Sequence, residues 1–184
     1  RYFEYYFGKK PNIIRKNRNS VAVLSGKESQ EELTALGEDI FRYFGLGCRS
    51  VSKIYLPKEY NIDTFFKAMF PYNSIINHHK YANNYDYNKA VYLMSEFKLL
   101  DNGFLILKEE ESFGSPIASL FYEYYEDVST LKEKLKDNKE NLQCIVSSGF
   151  VEDEISFGNT QKPMLNDYAD GIDTIAFLLN TSKN

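Results

Sequence analysis

The sequence predicts an α/β fold, a mostly parallel sheet with helices on both faces. Short β-prone apolar runs at residues 20–24, 53–56, 104–107 and 142–146 are separated by stretches whose apolar residues recur at three- and four-residue steps. Strands that alternate with helices pair in parallel, and the crossover helices cover both faces of the sheet. The chain's 184 residues suffice for one domain, 1–184, and a folded chain of this length buries roughly 70% of the surface that its unfolded form exposes.

The first strand is Ser20-Val-Ala-Val-Leu24, ended by Ser25-Gly26. Ser29-Gln-Glu-Glu32 has the Ser-x-x-Glu form of a capping box, so a helix is expected to start near Ser29. Leu33, Leu36, Ile40, Phe41 and Phe44 supply its apolar face, and Gly45 and Gly47 its stop. Cys48-Arg-Ser-Val leads into a second strand, Lys53-Ile-Tyr-Leu56, closed by Pro57, which completes a β-α-loop-β unit. Asp63 is the expected cap of a short helix through Met69, and Asp86 that of a longer one through Phe97. Phe104–Leu107 reads as a compact strand, Ser129 opens a charged helix to about Lys136, and Leu142–Val146 is another buried strand. Residues 156–171 carry turn chemistry, and the apolar run Thr174–Leu179 is expected to be a terminal strand. The tyrosines of Tyr81-Ala-Asn-Asn-Tyr85-Asp-Tyr87 are expected to pack with their hydroxyls in water.

Composition removes several function classes. A hydrophobic content of 43% with 26% charged residues is that of an ordinary globular chain and argues against disorder and coiled coil. With 22 Lys+Arg against 26 Asp+Glu, the net charge of -4 gives no electrostatic footprint for a nucleic acid. No apolar run approaches the roughly 20 residues of a membrane span. Two cysteines, Cys48 and Cys144, in a chain long enough to do without staples fit a reducing cytoplasm.

Cys48 is the residue best presented for chemistry. The Gly45/Gly47 pair exposes it between a helix end and a strand start, and Arg49 beside it favours thiolate. Cys144 stands in the apolar run Leu-Gln-Cys-Ile-Val and reads as a core residue. Adjacent His78 and His79 point in different directions on a helix or a strand; they would hold a metal only with a third ligand, one of them could serve as an acid-base group, and the expected state of both is solvated. Gly45-Leu-Gly47 follows a helix instead of opening one and is no dinucleotide loop.

Phe44-Gly-Leu-Gly-Cys48-Arg-Ser-Val-Ser-Lys-Ile-Tyr-Leu-Pro57 resembles the catalytic cysteine segment of the aldehyde dehydrogenase superfamily. It is closer still to the acyl-CoA reductase family of the LuxC type. Glu111-Ser-Phe113-Gly114-Ser-Pro116, which begins 63 positions after Cys48, is similar to the superfamily's Glu-x-Phe-Gly-Pro motif with one residue inserted. Ser156-Phe-Gly158 followed by Asp170-Gly171 looks like its closing Phe-Gly-Gly region, with Asn159 in place of the second glycine. The superfamily's general-base glutamate has no counterpart, because Ile14 occupies that position. A base that activates water would hydrolyse a thioester to an acid, so its absence suits a reductase that releases aldehyde.

The resemblance implies an aldehyde dehydrogenase-like catalytic domain. It also implies NADPH as cofactor, bound mainly by a nucleotide-binding domain upstream of this chain. Cys48 would be the nucleophile, while Glu111 and Phe113 would contact the nicotinamide ribose and ring. The implied substrate is a fatty acyl-CoA or an acyl-carrier thioester, with a homo-oligomer or an acyl-transferring protein as possible assembly partner. The alternative is an aromatic-rich α/β binding or structural module, with 15 Tyr and 14 Phe, in which Cys48 is inert.

Overall fold

The computed structural model describes residues 2–14, 17–165 and 167–181. By contacts the chain divides into two compact units, residues 18–162 and residues 1–17 together with 163–184. In chain order the helices are α1 (Tyr2–Phe7), α2 (Gln30–Phe41), α3 (Ile62–Met69), α4 (His79–Met94), α5 (Val128–Asp137) and α6 (Thr174–Thr181). The strands are β1 (Asn19–Val23), β2 (Val51–Pro57), β3 (Leu99–Asp101), β4 (Ile106–Glu109), β5 (Ser119–Tyr125) and β6 (Leu142–Val146).

The strands form one sheet in the order β3-β4-β5-β2-β1-β6. Every pairing is parallel except the β3–β4 edge hairpin. This is the α/β architecture that the alternation of apolar runs and helical periodicity predicts. One register row crosses all six strands as Ile145, Val21, Lys53, Phe121, Lys108 and Leu99, which puts a lysine at the centre of the sheet.

Side-chain alternation sends Ala22, Leu24, Ile54, Leu56, Leu107 and Leu120 to one face, where α2 and α3 cover them with Leu33, Leu36, Ile40, Phe65 and Met69. On the opposite face two smaller cores flank the central row. Leu131 and Leu135 of α5 cover Val21, Val23, Tyr55 and Leu142. Tyr81, Tyr85 and Tyr92 of α4 cover Ile106 and Phe121. Between these two cores the sheet carries Lys53 and Glu123.

The capping box is formed as expected: Glu32 N donates to Ser29 Oγ at 3.2 Å and Ser29 N to Glu32 Oε2 at 2.8 Å. Other expectations need correction. Asn61, not Asp63, caps α3, its Oδ1 accepting from Asp63 N at 3.0 Å. Asp127 caps α5 through Thr130 N at 2.7 Å, so that helix begins before Ser129. The strand expected at 104–107 is Ile106–Glu109.

Helix α4 starts at His79, two turns ahead of Asp86, because Tyr81, Tyr85, Asn88 and Tyr92 form a buried stripe at helical spacing. Two of these hydroxyls bond protein groups: Tyr81 OH donates to the Phe104 carbonyl at 2.9 Å and Tyr85 OH to Asp101 Oδ1 at 2.6 Å.

The run Thr174–Leu179 is helical, not a strand. Asp173 Oδ1 accepts from Ala176 N at 2.8 Å, and Ile175, Leu178 and Leu179 share one helical face. Strand β5 was assigned no element by the sequence. It follows β4 with no helix between them, against the usual rule that parallel neighbours need a long crossover.

Candidate active site

After α2 the chain tightens into a 3₁₀ turn, Arg42–Gly45, in which Tyr43, Phe44 and Gly45 are successively left-handed, with φ of 55°, 59° and 73°. For Tyr43 and Phe44 that conformation costs roughly 1–2 kcal/mol each. It reverses the chain so that Gly47–Ser50 forms a turn closed by Ser50 N donating to the Gly47 carbonyl at 2.9 Å. Cys48 occupies the tip of this turn, exposed, where the glycine-flanked spacing places it. Its carbonyl accepts from Ser20 Oγ at 2.8 Å, and its amide N–H donates to no group among the described residues. A thiol and a free N–H therefore stand together on one turn.

The turn and the strand that follows it, β2, are held to two segments distant in sequence. The first is residues 110–118, the strap that joins β4 to β5 across the sheet face. Lys53 Nζ donates to the Glu111 carbonyl at 2.8 Å, and Ser52 Oγ to the Phe113 carbonyl at 2.6 Å. Ser52 Oγ also lies 3.4 Å from the carbonyl of Ser20, whose own hydroxyl holds Cys48. With a single proton, Ser52 serves the closer Phe113.

The second segment is Phe157–Gln161. The carboxylate of Asp39, fully buried on α2, accepts from Gly158 N at 2.6 Å, Thr160 N at 3.0 Å and Thr160 Oγ1 at 2.8 Å. Gly158 is required there: its φ is +80°, and a Cβ would meet Ala35 Cβ at 3.0 Å. The Thr160 carbonyl in turn accepts from Arg49 Nε, which fixes the neighbour of Cys48. Burial pushes the Asp39 carboxyl above the usual carboxylate range, against the pull of the Gly158 and Thr160 hydrogen bonds. Asp170 and Gly171 belong to the other unit, where they form a left-handed 3₁₀ turn.

The centre of β2 itself carries a buried charge. Lys53, with no exposed side-chain surface, pairs with Glu123 Oε2 at 2.8 Å, and Glu123 also holds Lys134 at 2.5 Å. Burial pulls the Lys53 ammonium below its usual range, with Glu123 opposing. Burial also works to raise the Glu123 carboxyl, but hydrogen bonds from Lys134 and Lys53 outweigh it and leave it below the usual range.

Glu111 itself is exposed, and its carboxylate has no partner among the described residues. Phe113 is half-buried against the α5-side core, its ring 5.6 Å from Lys53 Nζ. Cys144 is buried; burial pushes its thiol up, opposed by the Arg49 charge and the Ser20 hydroxyl. His78 and His79 are both exposed, and the His78 ring lies 4.5 Å from that of Phe44.

At the carboxyl ends of β1 and β2 a separate open groove of about 360 Å³ is lined by residues that include Ser25, Gly26, Tyr60 and Thr64. Its Glu28 carboxylate is occupied by Ser25 N, Ser25 Oγ and Gly26 N.

Sequence reasoning missed Ser20, Asp39 and Ser52 and took Lys53 only as a motif position. Two signals were present: Asp39 interrupts the apolar stripe of α2 beside Leu36 and Ile40, and Lys53 stands inside the apolar run of β2. A charge in a buried position is rare unless it is paired.

No protein-family model matches the chain, and no curated protein matches it in sequence. Among the described residues, no helix is long and apolar enough to cross a membrane.

Proposed function

We propose that this chain is an aldehyde dehydrogenase-like catalytic domain that reduces a fatty acyl thioester to an aldehyde through an acyl group carried on Cys48. The observation that carries the reading is the convergence at Cys48. Ser20 Oγ holds the Cys48 carbonyl, Ser52 Oγ, four residues on, holds that of Phe113, and Arg49 Nε holds that of Thr160. The cysteine turn and the strap are two of the segments that the family resemblance singles out, and Thr160 lies two residues beyond Gly158 of the third.

In the proposed reaction the Cys48 thiolate attacks the thioester carbonyl. The free Cys48 N–H donates to the oxyanion that develops. Collapse expels the donor's thiolate, so that one thioester replaces another of similar energy without coupled input. A bound nicotinamide supplies the hydride that takes the acyl group to the aldehyde level. Breakdown of the thiohemiacetal on Cys48 Sγ releases the aldehyde and returns the thiolate.

The residues present fit the ribose end of such a cofactor. The Glu111 carboxylate is free to accept from two hydroxyls, and Phe113 follows two residues later on the same strap. No loop of repeated glycines opens a helix among the described residues, and in this reading the phosphate contacts come from the nucleotide-binding domain that the family resemblance implies.

Intact-mass measurement after incubation with palmitoyl-CoA tests the reading. One acyl adduct is expected, abolished by Cys48→Ser and retained by Cys144→Ser. A protein left unmodified at high donor concentration, or an adduct that survives Cys48→Ser, overturns it in favour of an inert module.

A further inference from the structure

We propose that Lys53 is the positioning residue for the cofactor contacts: from inside the sheet it sets the strap that carries Glu111 and Phe113. The inference rests on the reading of Cys48, Glu111 and Phe113 given above and assigns a role to a residue that takes no part in acyl transfer.

The crossover from β4 to β5 is the starting point. It spans only residues 110–118 and contains no helix. A parallel connection normally takes a dozen or more residues and a helix that packs on the sheet. This strap has no such helix: main-chain bonds hold its ends, Glu110 N to the Tyr122 carbonyl and Ser119 N to the Pro116 carbonyl, Asn88 Nδ2 holds the Ile117 carbonyl, and the stretch between depends on individual side chains. Ser52 holds the Phe113 carbonyl and Ser115 Oγ holds the Ser119 carbonyl at 2.8 Å. Lys53 holds the Glu111 carbonyl.

Lys53 differs from the two serines in what its burial demands. An ammonium fully removed from water is tolerated only when its donors are matched. Two go to oxygen, at Glu123 Oε2 and the Glu111 carbonyl, each at 2.8 Å. The charge also lies against two aromatic rings, 5.0 Å from that of Tyr55 and 5.6 Å from that of Phe113. One buried cation thus touches both residues assigned to the nicotinamide, through the main chain of one and the ring of the other. It grips Glu111 by the carbonyl and leaves the carboxylate in solvent, the arrangement a carboxylate needs if it is to meet a ligand. A methionine would fill the same volume without the cost of a buried charge, but it could not hold the strap.

The test compares Lys53→Met with wild type in the full-length protein. The measurements are the NADPH dissociation constant by fluorescence titration, single-turnover acylation of Cys48 by palmitoyl-CoA, and the KM for NADPH against kcat. Lys53→Met is expected to weaken NADPH binding by about tenfold or more, the scale of one charge-assisted hydrogen bond, while acylation stays within about twofold of wild type. Lys53→Arg, which keeps donors for both oxygens, is expected to recover part of the affinity.

An unchanged NADPH dissociation constant in a folded Lys53→Met protein overturns the role, and so does a parallel loss of acylation. If Lys53→Met does not fold, Glu123→Gln decides: it keeps the lysine but removes its charged partner. A severalfold weaker NADPH affinity with intact acylation is then expected, and unchanged affinity overturns the role. Wild-type protein that binds no NADPH overturns the reading of Glu111 and Phe113 itself, a result distinct from wild type and Lys53→Met binding equally.

Discussion

Ser20 Oγ, in the first strand of the sheet, donates to the carbonyl oxygen of Cys48 at 2.8 Å. The bond ties the exposed cysteine turn to a fully buried position in β1. It explains how a residue at a turn tip is held in one place without being covered: the main chain is anchored from beneath while the thiol stays in solvent.

Iodoacetamide is therefore expected to label Cys48 far faster than Cys144 in the folded protein. Cys144 is 5% exposed, and burial pushes its thiol away from the reactive thiolate form. Peptide mapping over a time course separates the two sites. Equal labelling, or faster labelling of Cys144, would contradict the placement.

Removing the tether has a local signature. Ser20→Ala deletes the neutral hydrogen bond to the Cys48 carbonyl and the weaker contact with the Cys144 thiol, so the loss of unfolding free energy is expected to be about 0.5–1.5 kcal/mol. Amide exchange at Ser50, whose N–H closes the turn on Gly47, is expected to accelerate beyond what that global loss accounts for. Exchange at Ser50 that rises only in step with the rest of the sheet would show that the turn holds without Ser20.

Asp39 and Glu123 are expected to give pH dependences of opposite sign. The folded pKa of Asp39 is raised, chiefly by burial, so the folded state holds a proton that the unfolded chain has released. Its contribution to stability grows as pH falls from the raised folded value toward the usual aspartate value of about 3.9. Glu123 is held below its usual range, so its contribution is present above about pH 4.3 and is lost as pH falls through the folded value. Urea unfolding of wild type, Asp39→Asn and Glu123→Gln at several pH values reads this out. As pH falls, the wild-type advantage over Asp39→Asn should widen while that over Glu123→Gln should narrow. The same trend in both pairs would refute the assignment of one or the other carboxyl.

How much of this was legible in the sequence depended on whether a signal was local. The α2 capping box, the apolar run at Leu142–Val146 and the glycines around Cys48 are short-range signals, and the structure places those elements where the sequence does. Strand β5 was hidden because its Phe and Tyr residues follow β4 without the helix that a parallel pairing normally demands. The start of α4 was hidden because its inward face is tyrosine, whose hydroxyls find buried partners at Phe104 and Asp101 that no local pattern reveals. At the site, Cys48 could be found from its flanking glycines. Asp39 and Lys53 were visible only as charges in apolar runs, and the partners that explain them are 119 and 58 residues away.

Glu111 provides the sharpest test of the proposed chemistry. Its carboxylate is exposed and unpartnered among the described residues, while its carbonyl is held by Lys53, so Glu111→Gln changes the side chain and leaves the strap anchored. If the carboxylate accepts from the nicotinamide ribose, the substitution weakens two charge-assisted hydrogen bonds, each worth roughly 1.5–3 kcal/mol. In the proposed reaction, acylation of Cys48 precedes any use of that contact. The full-length variant is therefore expected to form the acyl adduct at near wild-type rate while steady-state NADPH oxidation falls by about tenfold or more. A solvated loop glutamate would behave otherwise, changing stability by under about 0.5 kcal/mol and leaving both steps intact. Single-turnover acylation by mass and NADPH oxidation by absorbance, measured on the same preparation, distinguish the cases. Loss of neither step makes Glu111 ordinary surface, and loss of both places its effect on folding; either result removes it from the site.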